Sequence, residues 1–469
     1  MKILFELGVL LFFILRVNGD ETDYCYEKDE NPYRNFSTWT AFNDVRAWWY
    51  KNELESGCKP IYVWSLLKHG VRSFTSEEIK RSNDLWRIVW DIKKNYEEKR
   101  STLCWDDYDK IRSSFWKKAF DKIESEKLVE RAYFDHQFHA SHMKGFIDSA
   151  HIILTKDYFD FQISKSKGAN DTAIKFSNEL LNTYQVKDLK ENGIVVNDTL
   201  LRTRSNCSKW TANNTEADAF IQSSVFQFVR LKVSTRLGFT SPLSVENITA
   251  IYESCALWRN LILFTKARPL CAAFTPDDLK VMEYYLDLKH YYEFGYGNSL
   301  SKKIGCSLVK DMLNKLRYHG ELPAGDSVNK QKKGTFYFAD DENLMGMITK
   351  MGLYHDDVPL KHDNYQFQKR NRKWRSSSLS PFTATLHVVL FNCNNNEKTI
   401  EFFLNRNNIK YGACKDIASN RCPLKTFLAE VQKNIEEKDC DEDFCKASGN
   451  STISYSFIVM IGCFLVSRL

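Results

Sequence analysis

Residues Ile61 to Leu67 read Ile-Tyr-Val-Trp-Ser-Leu-Leu, an apolar run of strand length broken only by a serine. The run is rich in aromatic and β-branched residues, which suits a strand covered on both faces. Such a strand belongs to a sheet lying between helical layers, so the chain reads as α/β. The run ends in Lys68-His69-Gly70-Val71-Arg72-Ser73. Open α/β sheets carry their sites at this end of a strand. Gly70 lets the backbone turn sharply and lets an anion come close. Thr75-Ser-Glu-Glu78 then has the pattern of a capping box at a helix start. His69 is therefore expected between two cations, facing a helix N-terminus. That setting suits a phosphate, with the imidazole as nucleophile and the cations holding the transferring phosphoryl group. A solvated Lys-His-Gly turn would carry the same five residues, so the stretch alone leaves both readings open.

A second stretch repeats the geometry. Gly334–Ala339 is an apolar strand, and Asp340-Asp-Glu-Asn343 leads from it into a helix over Leu344–Met351. Carboxylates at a helix start cap it and complement its dipole. Opposite a nucleophilic histidine they gain another use. A phosphomonoester needs an acid for the leaving alkoxide and then a base for water, and one carboxyl group can be both. His136, His139 and His142 are spaced like a cluster but lack further ligands, so they read as packed or solvated side chains rather than a metal site.

Between the two stretches the pattern is mostly helical. Helices are expected over Ile79–Glu98, Tyr108–Val129 and at the end of Phe138–Leu154, then over Ala217–Leu237, Val245–Phe264, Pro276–Tyr292 and Leu308–Leu316. No clean strand pattern stands out in 155–330. Strand patterns return at Leu386–Phe391 and Ile400–Leu404, and a last helix covers Lys425–Ile435. The expected layout is an α/β domain of residues 20–154 and 331–446 enclosing a helical cap, 155–330. The 469 residues, 43% hydrophobic and 14% aromatic, suffice for this. The charge balance, 66 Lys and Arg against 60 Asp and Glu, gives a net +6. With no basic block long enough for a nucleic-acid surface, nucleic acid is not expected as a partner, whereas a mild positive bias fits an anionic substrate.

The termini point to the secretory pathway. Residues 1–19 have the form of a signal peptide: Lys2, an apolar stretch Ile3–Leu15 and a small residue at Gly19. Residues 447–469 place the apolar stretch Ile453–Val466 behind Ala447-Ser-Gly-Asn-Ser451. That reads as a GPI-attachment signal with a spacer shorter than the roughly 8–12 residues expected, or as a short membrane anchor. Cys463 lies in that tail. The other twelve cysteines form an even set without C-x-x-C spacing, which favours disulfides over zinc and leaves the connectivity open. Glycosylation sequons at Asn35, Asn170, Asn197, Asn213 and Asn247, with a poorer one at Asn206, imply exposed loops.

Taken together, the chain resembles the histidine acid phosphatases, and within them the multiple inositol polyphosphate phosphatases. The family pattern R-H-G-x-R-x-P appears as Lys68-His-Gly-Val-Arg-Ser-Phe74, and H-A-E as Asp340-Asp-Glu342. Phe146-Ile-Asp-Ser-Ala150, Val229-Arg-Leu-Lys-Val-Ser-Thr-Arg-Leu-Gly238, Tyr284-Tyr-Leu-Asp-Leu288, Phe294-Gly-Tyr-Gly297 and Ser380-Pro-Phe382 resemble further segments of the family. Tyr24-Cys-Tyr26 resembles insect members. The resemblance implies the phosphoglycerate-mutase-like three-layer α/β fold with a mostly helical inserted cap. It also implies a phosphomonoesterase acting on inositol polyphosphates or similar phosphate esters through a phosphohistidine, without cofactor or metal. His69 matches the nucleophile, Arg72 and Lys68 the phosphate-binding cations, and Glu342 the proton donor, with Asp340 an auxiliary acid. Lys144, beside Gly145 where the family carries an arginine, is expected as a third phosphate-binding cation. The departures are Lys68 for arginine, Phe74 for proline, Gly145 for arginine and Asp340 for histidine. Each charged hydrogen bond lost through these changes would cost about 2–3 kcal/mol. The alternative reading is therefore an impaired homologue that binds phosphate ligands without turnover. The expected partner is a small anionic phosphorylated substrate, with membrane contact only through the C-terminal anchor. The sequence does not give the oligomeric state.

Overall fold

The computed structural model describes residues 24–29, 34–45, 57–113, 124–147, 154–183, 190–201, 207–261, 269–322 and 331–435, with Cys440 and Cys445. The expected signal and anchor segments lie outside them. Eight strands form one sheet: β1 (Lys59–Lys68), β2 (Phe159–Ile163), β3 (Ile194–Val196), β4 (Gly334–Ala339), β5 (Thr385–Asn392), β6 (Lys398–Leu404), β7 (Asn407–Asn408) and β8 (Cys422–Pro423). The order is β3-β2-β4-β1-β5-β6-β7, with β8 on β6. The first four strands in this order are parallel, whereas β5 and β6 run antiparallel to their neighbours. Helices α1 (Ser76–Asp84), α2 (Trp86–Glu97), α3 (Trp105–Ser113) and α4 (Glu130–Ile147) separate β1 from β2, and α5 (Lys167–Leu181) separates β2 from β3. Then come α6 (Thr215–Ile221), α7 (Ser224–Arg236), α8 (Val245–Leu261), α9 (Pro276–Glu293) and α10 (Ser299–Glu321). After β4 follow α11 (Asp341–Lys350), α12 (Tyr365–Asn371) and, near the end, α13 (Leu424–Lys433).

The period of two along the central strands makes three layers. Val63 and Leu67 of β1, with Phe336 and Phe338 of β4, pack under Ala140, Met143 and Phe146 of α4 and Ala173 and Phe176 of α5. The alternate residues Tyr62, Trp64, Leu66 and Tyr337 face α10, α11 and α13, and that core continues unbroken into α8 and α9. Each of these fully buried aromatics contributes about 1.5–3 kcal/mol. Trp64→Ala would cost about 3–5 kcal/mol and would also leave Asp311 without the indole N–H it accepts at 2.9 Å.

Three expectations are corrected. Residues 155–330, expected to be mostly helical with no clean strand pattern and to form a separate cap, also supply β2 and β3, two parallel strands of the central sheet. Of the helix expected over Tyr108–Val129, the part to Ser113 is helical, 114–123 lie outside the described residues, and 124–129 are not helical. Leu128 instead forms an antiparallel bridge with Arg72. The sequon at Asn170 is not an exposed loop. It lies in α5 with its carbonyl oxygen enclosed, and its Thr172 accepts a hydrogen bond from the Gly70 amide. All twelve expected cysteines pair: Cys25–Cys104, Cys58–Cys393, Cys207–Cys445, Cys255–Cys271, Cys306–Cys440 and Cys414–Cys422. That set is the mark of an oxidising compartment. Among the described residues no helix is long and apolar enough to cross a membrane.

Candidate active site

Parallel strands bring their C-terminal ends to one edge of the sheet. Lys68 pairs with Ala339 and Ile163 with Phe338, so Ser164, Asp340 and His69 emerge side by side from β2, β4 and β1. The amide of His69 donates to the Ala339 carbonyl at 3.1 Å, and the His69 carbonyl accepts from the Thr383 amide at 3.1 Å. Thr383 is held at φ 58°. This left-handed conformation costs a β-branched residue about 1–3 kcal/mol. The turn is thus pinned on both sides of the histidine.

The His69 Nδ1 lies 2.9 Å from the Gly70 carbonyl. A carbonyl only accepts, so Nδ1 carries the proton and Nε2 keeps its lone pair. Burial first, then the Lys68 and Arg72 charges, push His69 below the usual histidine range, against Asp340 and Asp341. The neutral imidazole is therefore favoured. Two glycines permit the close packing around it. A Cβ at Gly70 would lie 2.4 Å from the His136 Nε2, and one at Gly168, near the α5 N-terminus, 3.0 Å from His69. His136 and His139 are buried, packed against this turn and against Phe42.

The two cations differ in what they can still bind. The Arg72 Nη1 donates to the Glu78 carboxylate at 2.9 Å and to the Ser73 carbonyl, and Nη2 donates to Glu78 at 3.3 Å. Glu78 closes the α1 capping box with Thr75. Among the described residues, Nε–H and one Nη2–H have no partner and remain for a ligand. Lys68 is buried, and its three N–H donors are matched by the Thr38 carbonyl at 3.0 Å, the Ser380 carbonyl at 2.9 Å and Asp341 at 2.6 Å. As a contact to substrate Lys68 is therefore corrected, since its ammonium is spent within the protein.

The acidic turn is also resolved. Asp340 takes the α11 N-cap position but makes no side-chain cap. Its carboxylate accepts from the Ser166 hydroxyl at 3.0 Å, so capping does not account for it. Asp341 accepts from Lys68 and from the Ser380 hydroxyl, the latter at 2.6 Å. Burial pushes the Asp341 carboxyl up, but Lys68 and His69 outweigh it and hold the group below the usual carboxylate range. Asp340 and Asp341 are the carboxylates that act most strongly on His69. Glu342 is buried one residue further into α11. Sequence reading passed over Asp341 because it fills the middle, unassigned place of H-A-E. It also passed over Thr38 and Ser380, which act through main-chain carbonyls that no motif encodes.

Lys144 does not join the site. It is bonded at 2.8 Å to Asn182, which caps the far end of α5. Gly168, at the near end, touches His69, so Asn182 is about 20 Å away along the helix.

The turns after β1 and β4 are the two stretches whose residues resemble the histidine acid phosphatase patterns. Residues 175–405 match the family model of the histidine phosphatase superfamily (branch 2). The match begins beyond His69, whose turn departs from the family pattern. The chain is 27% identical over 460 residues to a multiple inositol polyphosphate phosphatase 1 of Drosophila melanogaster, covering 94% of each chain. It is 25% identical to its human counterpart, covering 90% of each. In fold it is similar to the phytase from D. castellii, with a TM-score of 0.64 at 16% identity over 90% of each chain. A multiple inositol polyphosphate phosphatase of Bifidobacterium longum, solved with inositol hexasulfate, gives a TM-score of 0.61 at 15% identity, covering 87% of this chain and all of that one. Residues 175–405 thus match the model of the histidine phosphatase superfamily, branch 2, and over nearly its whole length the chain is similar to multiple inositol polyphosphate phosphatases.

Proposed function

We propose that the protein is a phosphomonoesterase of inositol phosphates. The observation that carries the reading is the His69 ring, fixed through Nδ1 with a free Nε2 and faced by two carboxylates from the adjoining strand. The names of its relatives supply the substrate class. The Nε2 lone pair attacks phosphorus, the ester P–O bond breaks, and the leaving alkoxide takes a proton from the protonated Asp341. Water then attacks the phosphohistidine, giving its proton to the Asp341 carboxylate as the P–N bond breaks and phosphate leaves. The free Arg72 donors hold the phosphoryl oxygens. Resemblance assigns the acid to Glu342; Asp341 is placed in the role because it acts directly on the His69 ring, and it must take up its proton against the Lys68 ion pair.

Phosphate release from phytate and from an aryl phosphate by the purified chain tests the reading. His69→Ala should abolish turnover with the fold retained, and Asp341→Asn should lower the rate more than Glu342→Gln. A catalytically impaired phosphate-binding homologue is the second reading, favoured by the spent donors of Lys68. It takes over if phosphate binds but none is released at any pH. Passage through the secretory pathway with a GPI-type anchor belongs to the same proposal. Release of cell-surface protein by a phosphatidylinositol-specific phospholipase supports it, and surface protein that resists the enzyme rules the anchor out.

A further inference from the structure

Five of the seven residues from Lys369 to Arg375 are basic, and the site at His69 uses none of them. The fold divides the run. Arg372 turns inward and, fully buried, holds Glu283 and Asp287 at 2.9 and 2.8 Å. Lys369, Arg370 and Arg375 line an open groove of about 850 Å³ between α7, α9 and α12. Lys232 of α7 and Lys280 of α9 complete a rim of five cations. The floor is apolar, made by Val229, Val281, Tyr365 and Phe228. The Phe228 side chain is 46% exposed.

The rim is not neutralised from within. Lys280 pairs with Asp277 at 2.7 Å, Lys232 with Asp278 at 3.3 Å, and Arg375 with Glu283 at 3.6 Å. Among the described residues, three carboxylates thus pair with this rim of five cations. Arg370 has no polar partner among the described residues. The Lys280–Asp277 pair is solvent-exposed and is worth about 0–1 kcal/mol, so it yields readily to a ligand. The groove is also remote from the catalytic edge. His290, in the last turn of α9, senses Lys68 and Asp341. Asp278 lies three turns earlier, about 18 Å away along the helix.

We propose that this groove is a second ligand site, for a small organic anion that joins a ring-sized apolar body to two or more negative groups. The volume falls in the range of about 300–1,000 Å³ usual for small-molecule sites. Two or more anionic groups match the excess charge of the rim, and an apolar body is required to cover Phe228 and the floor. A hydroxylated polyphosphate would meet the cations and leave the floor bare. The site does not depend on turnover at His69.

Bis-anilinonaphthalene sulfonate, with two sulfonates on aromatic rings, is a suitable probe. Fluorescence titration of the full chain should give saturable binding that Lys369→Glu with Arg370→Glu weakens 10-fold or more. Phe228→Ser should weaken it at least 5-fold, and His69→Ala should leave it unchanged. All three residues replaced in the groove are surface residues, and unchanged melting curves verify that the variants fold. Wild-type affinity in the charge-reversal variant overturns the proposal. So does equal displacement of the probe by inositol hexakisphosphate in wild type and Phe228→Ser, which would mark a site that reads charge alone.

Discussion

Arg72 and Lys68 flank the same histidine with the same charge, yet only Arg72 keeps donors for a ligand. Glu78 decides where those donors point, because its carboxylate holds one edge of the guanidinium while closing the α1 capping box. Glu78→Gln keeps the box and removes the charge pair. Arg72 then loses its fixed placement, but the site also loses a negative charge that repels phosphate. We expect kcat to fall about 10-fold, the cost of roughly one charged hydrogen bond, while inhibition by free phosphate is not weakened. An unchanged kcat would show that Glu78 serves only the helix. The carboxylates set the pH response. Asp341 is held below its ordinary pKa and His69 below its own. The form with Asp341 protonated and His69 neutral therefore grows as pH falls. Phosphate release should rise from neutral toward acid pH, and Asp340→His, which removes a carboxylate beside the substrate, should raise the neutral-pH rate about 10-fold. A rate that falls steadily below pH 7 in the wild type contradicts both assignments. At this scale the sequence revealed His69, Gly70, Arg72 and the acidic turn, because each is a side chain in a motif. The fate of Lys68 was not legible, since two of its three partners are carbonyls of Thr38 and Ser380, far away in sequence.

The helix α4 and the strand β5 meet over histidines. His136 and His139 of α4 are buried with both ring nitrogens lacking partners among the described residues, and the His139 ring lies 6.3 Å from that of His387 on β5. Burial pushes His136 and His387 down to about 3 and His142 to about 4, while His139 is held well below its ordinary value. In the unfolded chain a histidine titrates near pH 6.5. Below that pH the unfolded state binds more protons than the folded one, so these groups remove stability as pH falls, by about 2 kcal/mol per histidine at pH 5. Glu283, pushed up to about 7 by burial and by Asp287, has the opposite sign. Comparing wild type with His139→Leu isolates one term. The variant's stability should fall less steeply between pH 6 and 5, by up to about 1.4 kcal/mol per pH unit, as read by urea unfolding. Parallel stability curves would show that His139 does not titrate on unfolding. Elements buried on both faces, such as β1, β4 and β5, were legible as continuous apolar runs. β2 was not, because Phe-Asp-Phe-Gln-Ile alternates buried and half-buried positions over only five residues. β3 is a three-residue edge strand, too short to show any period.

Across the whole molecule, the sequence carried the convergence of two distant strand-turn-helix stretches on one sheet edge, because the chemistry of a phosphomonoester requires it. It did not carry the disulfide connectivity, since pairing depends on which chain ends the fold brings together. Cys58, just before β1, is joined to Cys393, just after β5, across a sequence separation of 335. These ends meet because β1 and β5 are antiparallel neighbours, with Lys59 opposite Asn392. The Cys255–Cys271 bridge closes a separation of only 16. On chain entropy alone the longer loop constrains the unfolded chain by about 3 kcal/mol more. The bridge at Cys58 also lies at the opposite end of β1 from His69. Ten strand residues separate them, about 33 Å at the usual rise. Replacing Cys58 and Cys393 by serine should therefore cost more stability than replacing Cys255 and Cys271, by about 2–3 kcal/mol, and leave kcat for phosphate release at the wild-type value below the melting range. Denaturant unfolding and turnover measured on the same preparations check both halves. Equal losses in the two variants would mean that the β1–β5 ladder already supplies the constraint in the unfolded ensemble. A fall in kcat at full folding would mean that strain at one end of β1 reaches His69 at the other.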